Sequence, residues 1–514
     1  MTPAEKFRAL TCTRDVRQNL GGRSVRAVVL TAASGFTDLA IRIGSTAILA
    51  RLVVPEHFGL VMMTGAIVAV ADQLRELGLS SATVQQPVIT HAEISNLFWI
   101  NVAVSGLLAA LLAGCSPWIA AYYRDPRLGP VVCILATTLL FGGLTVQHQA
   151  LLTRRLQLGR TAAVRLSSNV LSTALAIALA WLDYGYWALL WREVARTALL
   201  AFGMWGCFRW VPGLPAWQTN VRQMLGFGAN LTAGNLVASL AAGADRFLLG
   251  RMWGPGVVGV YRQSFQLVAA PTDQLLSPLY QVSQPALSLL QDDPERFRRL
   301  YLKLLALVCA LTMPFSLFVA VYADAITALV LGPVWLASAP ILCLLGFGTF
   351  LKQAVGSTAI VAISRGKSGT YLGLTLLHNL TLVGAMCVGV RWGGAGIALA
   401  DVAATYALAA PRLHYCLRGS PVTPRMFLTT LARPALASLA MAFSLLALRE
   451  FASRQSPAAT LGLGAPLALA VFGGTWLLLP GGRSEFSTVW SDLRAALRRR
   501  TAPLVPAAAI VTAG

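Results

Sequence analysis

Residues 49–69 read LARLVVPEHFGLVMMTGAIVA, and residues 249–269 read LGRMWGPGVVGVYRQSFQLVA. Six residues match without a gap at an offset of 200: Leu49, Arg51, Pro55, Gly59, Val68 and Ala69 correspond to Leu249, Arg251, Pro255, Gly259, Val268 and Ala269. Pro readily starts a helix, and Gly just inside that helix permits close packing. Each stretch is therefore expected to cover the end of one long helix and part of the next, so the chain is predicted to be an internal duplication.

The composition places this duplication in a membrane. Of the 514 residues, 56% are apolar and 12% are charged, and the mean hydropathy is +0.66. These values lie outside the usual range of soluble proteins. Apolar runs of about twenty residues, enough to cross a hydrocarbon core of roughly 30 Å, recur from Ser24 almost to the C-terminus, with loops too short for a soluble catalytic domain. We therefore predict an all-α integral membrane protein of about 14 transmembrane helices.

The predicted spans divide into two pseudo-symmetric six-helix lobes and two C-terminal helices. Their approximate ranges are 24–51, 57–78, 94–121, 129–152, 161–182, 186–208, 224–250, 256–289, 299–322, 337–363, 369–390, 394–411, 426–448 and 460–480. The N-lobe covers 24–208, the C-lobe covers 224–411, and the last two helices lie within 426–480. Segments at 1–23 and 481–514 flank them. Both copies of the repeat cross in the same direction, which predicts parallel repeats.

The distribution of Lys and Arg predicts the orientation. An even number of spans places both termini on one side, and cytoplasmic termini give about 23 basic residues inside against about 7 outside. The inside segments then include Arg154, Arg155, Arg160 and the run Arg498–Arg500. The predicted inside loop 79–93 has no Lys or Arg, so the orientation rests on the total count of basic residues and not on every loop. Residues 1–22 lack the apolar core of a signal peptide, so the first span is expected to be retained.

Charge and cysteine usage exclude several function classes. A net charge of +21 would indicate nucleic-acid binding in a soluble protein, but here the basic residues lie mainly between apolar spans, beside anionic lipid headgroups. The eight cysteines are scattered singly, and neither His148 nor His378 has a second ligand at metal-site spacing, so we predict no disulfide framework and no metal. No phosphate-loop motif for ATP hydrolysis is present, and we expect neither a cofactor nor an enzyme.

Six stretches resemble one transporter family. They are ILARLVVPEHFGLVMM (48–63), ELGLSSATVQQ (76–86), LFWINVAVSG (97–106), YYRDPRL (122–128), HQALLTRRLQLGR (148–160) and DRFLLGRMWGPGVVGVYRQSFQL (245–267). The chain resembles the polysaccharide transporters of the multidrug/oligosaccharidyl-lipid/polysaccharide (MOP) exporter superfamily, particularly Wzx-type flippases. The resemblance covers the first eight spans, and the later spans match mainly by hydropathy.

This resemblance implies a structure, a cargo and partners. It implies a V-shaped pair of lobes with a central cavity that opens alternately to each face of a bacterial inner membrane. The implied cargo is an undecaprenyl-pyrophosphate-linked oligosaccharide for exopolysaccharide or lipopolysaccharide (O-antigen type) synthesis. The implied partners are membrane lipids, a polysaccharide polymerase and the export machinery, with no nucleic acid.

Four basic residues within the spans are candidates for binding the pyrophosphate. An ionisable residue near mid-membrane costs roughly 3 kcal/mol and therefore usually faces a cavity or a partner. Arg192 and Arg196 lie one turn apart on one helix face and can hold two phosphate oxygens, or Glu193 neutralises one of them; both interpretations stay open. Lys352 is expected to line a cavity rather than to form a structural pair. Arg42 is the fourth candidate.

Two acidic residues are candidates for ion coupling. Asp38 and Arg42 are spaced i, i+4, which favours a mutual ion pair, although an acid on the first span can also exchange a proton or sodium ion. Asp273, the second candidate, lies between Pro271 and Pro278. Prolines at mid-span free backbone carbonyls, so the span is expected to be interrupted there by a kink or hinge.

Charged residues near span ends are candidates for a gate. Asp72, Arg75 and Glu76 form a compact charged turn near the predicted cytoplasmic end of the second span, where they can reach water. A second group lies at the predicted outer end of the seventh span and on the eighth: Asp245, Arg246, Arg251 and Arg262. Asp245 resembles the acid that opens the family's DR-containing stretch. The second group either forms a latch between lobes or is solvated at a helix end.

Alternative functions are weighed against the leading one, a lipid-linked oligosaccharide flippase. A peptidoglycan-precursor flippase would share a cationic cavity. A drug/cation antiporter of the same superfamily is disfavoured because arginines lining the cavity would repel cationic drugs. A membrane-embedded glycan polymerase is disfavoured because such enzymes usually carry a sizeable periplasmic loop. The tail SEFSTVWSDLRAALRRR (484–500) is either an amphipathic helix on the anionic inner leaflet or a solvated charged end.

Overall fold

The computed structural model describes residues 20–76, 80, 83, 89–155, 157–208, 210–215, 221–451, 455–480 and 482. Every regular element within these ranges is helical. Most of the predicted N-terminal segment and the tail at 484–500 lie outside the described residues, so their structure stays a prediction.

The helices are labelled in chain order. The first seven are α1 Leu20–Leu52, α2 Pro55–Glu76, α3 His91–Gly114, α4 Ser116–Tyr123, α5 Leu128–Arg154, α6 Leu158–Trp181 and α7 Tyr186–Cys207. The next are α8 Val221–Leu289, α9 Pro294–Val321, α10 Ala323–Ile326, α11 Ala339–Ser364, α12 Ser368–Gly389, α13 Gly393–Ala407, α14 Ala409–Leu417, α15 Pro424–Phe451 and α16 Pro457–Leu478. A π turn (Thr327–Leu331) and a 3₁₀ turn (Pro333–Ser338) connect α10 to α11. Each predicted span overlaps one or two of these helices.

Local sequence explains where several helices begin. Pro55, Pro294, Pro424 and Pro457 are the first residues of α2, α9, α15 and α16, a position that needs no backbone N–H donor. At α3, the Thr90 side chain accepts from the backbone N–H of Glu93, and Glu93 accepts from that of Thr90 at 2.7 Å, which is a capping box. These signals lie in the sequence itself, so the helix starts were predictable to within a few residues.

Helix α8 contains a sharp break at Gly254, which has φ +79° and ψ −176°. A side chain is strained at such a φ, so glycine suits this position, and Pro255 starts the second arm of the helix. The break separates the predicted seventh and eighth spans. The backbone dihedrals stay helical through Pro271 and Pro278, and the kink or hinge expected there stays a prediction.

Nine helical stretches among the described residues are long and apolar enough to cross a membrane. Helices α1, α7 and α8 are not among them, and all three carry several charged residues, such as Asp38, Arg192 and Asp245. An ionisable residue within a span is costly, so its presence indicates a cavity or an ion pair rather than contact with lipid. The fold is therefore a multi-pass helical bundle, and its charged helices α1, α7 and α8 are expected to border a cavity or to form ion pairs.

A close backbone contact joins the two copies of the repeat. Helix α2 lies along α8 in the most extensive helix contact of the described chain. A methyl group at Gly59 would overlap the carbonyl oxygen of Pro255, and one at Gly259 would overlap that of Pro55. The contact is reciprocal, and only a residue without a side chain allows it.

A buried tryptophan reinforces this end of the bundle. Trp335, with 0% exposure, donates from its indole N–H to the carbonyl oxygen of Ala50 at 2.8 Å. The ring of Phe58 packs edge-on against it, with ring centroids 5.3 Å apart. These contacts join the α1–α2 corner to the connection between α10 and α11, at the same end of the bundle as the Gly59 and Gly259 contacts.

Candidate functional site

A cavity of about 440 Å³ lies among α2, α5, α7 and α8. We call it the central cavity. Its charged lining residues are Asp72, Arg75, Glu193, Arg196, Arg246 and Arg262. Its polar lining residues are Thr138, Thr145, Gln149, Thr197 and Gln266. Along α2 the lining begins at Val61, just beyond the Gly59 contact, and continues to Arg75.

Two arginines of the central cavity are each paired with a carboxylate on their own helix. Arg75 donates from Nε to Oδ1 of Asp72 at 3.0 Å. Arg196 donates to both oxygens of Glu193, with Nε 3.2 Å from Oε2 and Nη2 on Oε1. Both i, i+3 pairs line the cavity, one on α2 and the other on α7. The Nη1 group of Arg75 is buried with no hydrogen-bond partner among the described residues, so it can bind a ligand.

The other two arginines share one buried carboxylate. Asp245, 4% exposed, lies 3.4 Å from Nε of Arg246 and 3.2 Å from Nη1 of Arg262. Arg262 also stacks over the ring of Phe265, with its Cζ 4.7 Å from the ring centroid. Its Nε is buried and has no partner within the described chain. Because Asp245 precedes Gly254 and Arg262 follows it, this ion pair spans the break in α8.

The arrangement leaves the central cavity with an excess of positive charge. Four arginines face two lining carboxylates, and Asp245 lies directly behind two of the arginines. Guanidinium groups bind phosphate and carboxylate oxygens through paired N–H donors. In a helical bundle of low dielectric, such a cavity favours an anionic group with several oxygen atoms.

Residues 48–340 match the family described as polysaccharide biosynthesis protein. The chain belongs to this family. It is 25% identical over 354 residues to the lipopolysaccharide biosynthesis protein WzxC of Escherichia coli, covering 68% of this chain and 71% of WzxC. It is 27% identical over 326 residues to the teichuronic acid biosynthesis protein TuaB of Bacillus subtilis, covering 62% and 67%. It is 23% identical over 461 residues to the succinoglycan biosynthesis transport protein ExoT of Rhizobium meliloti, covering 89% and 92%.

Solved structures show which fold this polysaccharide biosynthesis protein shares. The lipid II flippase MurJ in an inward closed conformation superposes with a TM-score of 0.72 at 14% identity, covering 90% of this chain and 99% of MurJ. An inward-facing multidrug MATE transporter of the MOP superfamily gives a TM-score of 0.56 at 14% identity, covering 77% and 94%. The predicted resemblance to the transporters of this superfamily is confirmed, and the chain is a multi-pass membrane protein of that fold.

The structure separates the two arginines predicted to act together on α7. Arg196 lines the central cavity and is neutralised by Glu193, which was one of the two open interpretations. Arg192 does not line that cavity, and its Nε is buried with no partner among the described residues. Its charged neighbours are Asp38 and Arg42 on α1, besides Glu193 and Arg196.

Two pairings differ from those expected. The amide of Asn169 on α6 donates to Oδ1 of Asp38 at 2.5 Å, and Asp38 and Arg42 form no ion pair in the described chain. The i, i+4 pair predicted on α1 is therefore wrong. The Nζ group of Lys352 lies 2.9 Å and 3.0 Å from the two oxygens of Asp401 on α13. Lys352 is thus paired with a buried acid, and its predicted role in a substrate cavity stays a prediction.

The predicted gate residues fall into three positions. Asp72 and Arg75 line the central cavity, whereas Glu76 is exposed and accepts from the hydroxyl of Ser80 at 2.6 Å. Arg246 lines the central cavity and Asp245 is buried beside it, so Asp245 is not a residue solvated at a helix end.

Asp273, the second ion-coupling candidate, lines a separate cavity between α8 and α11.

Several site residues were not identified from the sequence. Thr138, Gly142, Thr145 and Gln149 line the central cavity at i, i+4, i+7 and i+11 of α5, a small and polar stripe that the sequence displays. A Cβ at Gly142 would lie 2.8 Å from Cζ of Arg75, so this glycine makes room for the guanidinium. Asp401 was also missed, although it is the one charged residue of α13.

His148 has the packing role expected of it. It is 0% exposed, stacks on Trp205 with ring centroids 4.4 Å apart, and its Nε2 lies 3.1 Å from the carbonyl oxygen of Trp210. Within the described ranges, no three His, Cys, Asp or Glu side chains lie close enough together to hold a metal ion.

Proposed function

We propose that this protein moves an undecaprenyl-pyrophosphate-linked oligosaccharide from the inner to the outer leaflet of a bacterial inner membrane by alternating access. The observation that carries the proposal is the central cavity, an arginine-rich chamber inside a bundle of apolar helices. The transported lipid would supply exopolysaccharide or O-antigen type synthesis, and a polysaccharide polymerase and export machinery would act after it. Its relatives WzxC and ExoT are named for such syntheses.

The physical task requires a cavity of this type. Sugar hydroxyls and a pyrophosphate lose many hydrogen bonds to water if they enter hydrocarbon, at a cost of about 2 kcal/mol or more for each unpaired group. The central cavity offers guanidinium, hydroxyl and amide groups in place of water. The polyprenyl tail can stay in the lipid while the head group passes through the protein.

The arginines are proposed to divide the pyrophosphate between them. Arg246 and Arg262 share Asp245 and therefore keep one uncompensated charge, which makes them the main phosphate ligands. Arg75 and Arg196 each have their own carboxylate and bind the second phosphoryl group by exchange of partners. Arg192 adds positive potential behind α7.

The remaining candidates have supporting roles in this proposal. Arg42 lies close enough to Asp273 and Arg192 to affect both electrostatically, so it extends the positive potential along α1. Lys352 holds Asp401 and orders α11 against α13. Asp38, with its amide partner Asn169, and Asp273 are the proposed sites of proton or sodium coupling.

The proposed arrangement is two six-helix lobes, residues 24–208 and 224–411, followed by two helices within 426–480. Fourteen spans with cytoplasmic termini would place Pro55 and Pro255 on the outer face. The reciprocal contact of Gly59 and Gly259 then closes the outer end, and the central cavity extends towards the cytoplasm. In the alternate state this contact separates and the inner end closes.

One superfamily alternative is disfavoured by the cavity's charge. A drug/cation antiporter would bring a cation against Arg75, Arg246 and Arg262, where like charges repel. A flippase for a peptidoglycan precursor would use the same phosphate ligands, and its substrate would differ from the proposed one only in the sugar.

Reconstitution tests the proposed function. Purified protein is placed in proteoliposomes with a lipid-linked oligosaccharide extracted from a strain that lacks it, and sugar exposure on each leaflet is followed with an impermeant glycosidase. We expect the protein to equilibrate the glycan between leaflets, and the double variant Arg246→Gln/Arg262→Gln to fail. Efflux of a cationic dye with no movement of the glycan would instead support an antiporter.

A further inference from the structure

A second cavity, of about 330 Å³, lies between the second arm of α8 and the middle of α11. Apart from Leu276, its lining is polar: Asp273, Ser277, Tyr280, Gln281, Gln284 and Gln353. We call it the amide cavity. No residue of the central cavity lines it, and no basic residue lines it within the described chain.

The chemistry of the amide cavity differs from that of the central cavity. Each glutamine offers two N–H donors and a carbonyl acceptor, and a tyrosine hydroxyl offers both functions. Gln281 uses one donor on the hydroxyl of Ser277 at 3.0 Å, while the side chains of Gln284 and Gln353 form no hydrogen bond among the described residues. Neutral groups with paired donors and acceptors suit sugar hydroxyls, and the described lining holds no basic side chain that could bind a phosphate.

Both cavities lie along one face of one helix. Arg262 and Gln266 line the central cavity, and Asp273, Ser277 and Gln284 line the amide cavity. At 100° per residue these five positions fall within about 60° of one another around α8. Gln266 and Asp273 are about 10 Å apart along the helix axis at 1.5 Å per residue. A molecule with an anionic end and a hydroxyl-rich end can therefore contact both cavities.

We infer that the amide cavity binds the sugar residues of a lipid-linked glycan while the central cavity holds its phosphates. This inference rests on the proposed function and adds a division of the head group between two sites. Asp273 and the three glutamines accept and donate hydrogen bonds to ring hydroxyls, and the ring of Tyr280 supplies an apolar wall. The amide cavity, rather than the arginines, then selects which sugar is carried.

The test separates sugar binding from phosphate binding. Full-length protein in nanodiscs is titrated with two probes: undecaprenyl pyrophosphate without sugar, and the lipid-linked glycan extracted from a strain that lacks the protein. The variant Gln281→Ala/Gln284→Ala/Gln353→Ala is compared with wild type. Gln291→Ala, which changes an exposed glutamine just beyond the end of α8, is the matched control.

Loss of two or three hydrogen bonds predicts binding of the glycan lipid about tenfold or more weaker in the triple variant. Binding of undecaprenyl pyrophosphate should stay within about twofold of wild type, because no phosphate ligand is changed. Gln291→Ala should match wild type with both probes. Unchanged glycan binding, or an equal loss for both probes, would overturn the amide cavity as a sugar site while leaving the flippase proposal intact. Wild-type protein that binds neither probe would overturn both.

Discussion

Gly59 lies against the backbone carbonyl of Pro255, and the same relationship holds in reverse between Gly259 and Pro55. The two helix starts therefore meet with no side chain between them. Van der Waals contacts between backbones depend on close fit, so they stabilise one relative position of the helices and lose much of their attraction after a small separation. The matching Pro and Gly residues of the sequence repeat thus contact each other in the structure.

A side chain at this contact should force the two helix starts apart. We expect Gly59→Val to reduce surface polysaccharide strongly, because overpacking costs about 1–3 kcal/mol and backbone atoms cannot yield as a side chain can. Gly256→Val is the control, since a Cβ there meets no atom within 4 Å. The measurement is surface polysaccharide in a complemented deletion strain, normalised to protein in the membrane. Equal export by both variants would contradict the importance of the contact.

A disulfide across the same contact should arrest the cycle. Cysteines replacing Pro55 and Pro255, in a chain whose native cysteines are replaced, should oxidise when this end is closed, because each proline carbonyl lies against a glycine one turn into the other helix. Export should stop on oxidation and resume on reduction. Either single cysteine serves as the control. A complete crosslink with normal export would exclude alternating access through this end of the protein.

The shared carboxylate predicts which arginines matter most. Arg262→Gln removes a charge-assisted hydrogen-bond donor worth about 1.5–3 kcal/mol, so the affinity for undecaprenyl pyrophosphate should fall by about tenfold or more. Arg251→Gln is the control, because Arg251 stacks near Tyr122 with its Cζ 5.8 Å from the ring centroid and does not line the central cavity. Its affinity should stay near that of wild type. Equal losses would mean that Arg262 acts through overall charge alone.

The pair of Lys352 and Asp401 should contribute to stability rather than to transport chemistry. Lys352→Met leaves the 7% exposed side chain of Asp401 without its partner, which costs about 3 kcal/mol in a buried pair and less here because Lys352 is 34% exposed. The melting temperature in detergent should therefore fall. The double variant Lys352→Met/Asp401→Leu should regain most of the loss. A double variant less stable than the single one would contradict this account.

A carboxylate in the α4–α5 connection predicts an acid-dependent stability. Hydrogen bonds from the Arg127 guanidinium hold the pKa of Asp125 below its ordinary value. Since the folded pKa lies below the unfolded one, near 3.9, the stabilisation is present at neutral pH and is lost as the pH falls through the folded value. Thermal denaturation between about pH 5 and pH 3 should show a smaller decrease for Asp125→Asn than for wild type. Parallel curves would refute it.

The sequence predicted the helices better than the site, for a physical reason. Apolar runs and first-turn prolines such as Pro55 act locally, so helix positions follow from short stretches of chain. Two of the polar contacts join partners that are far apart in the chain: the ion pair of Lys352 and Asp401 spans 49 residues, and the hydrogen bond from Asn169 to Asp38 spans 131. Glu193 and Arg196, three residues apart, were the pair that the sequence could suggest.

The bend at Gly254 links chemistry to shape. Asp245 and Arg262 lie on opposite arms of α8, so their ion pair favours one angle between those arms. An anion that binds Arg262 competes with Asp245 for the same N–H donors and thereby weakens the ion pair. By thermodynamic reciprocity, a change of angle that breaks the ion pair must raise the affinity for the anion by the same factor. Binding of the anion and the change of angle at Gly254 are then coupled in one equilibrium, and neither needs to precede the other.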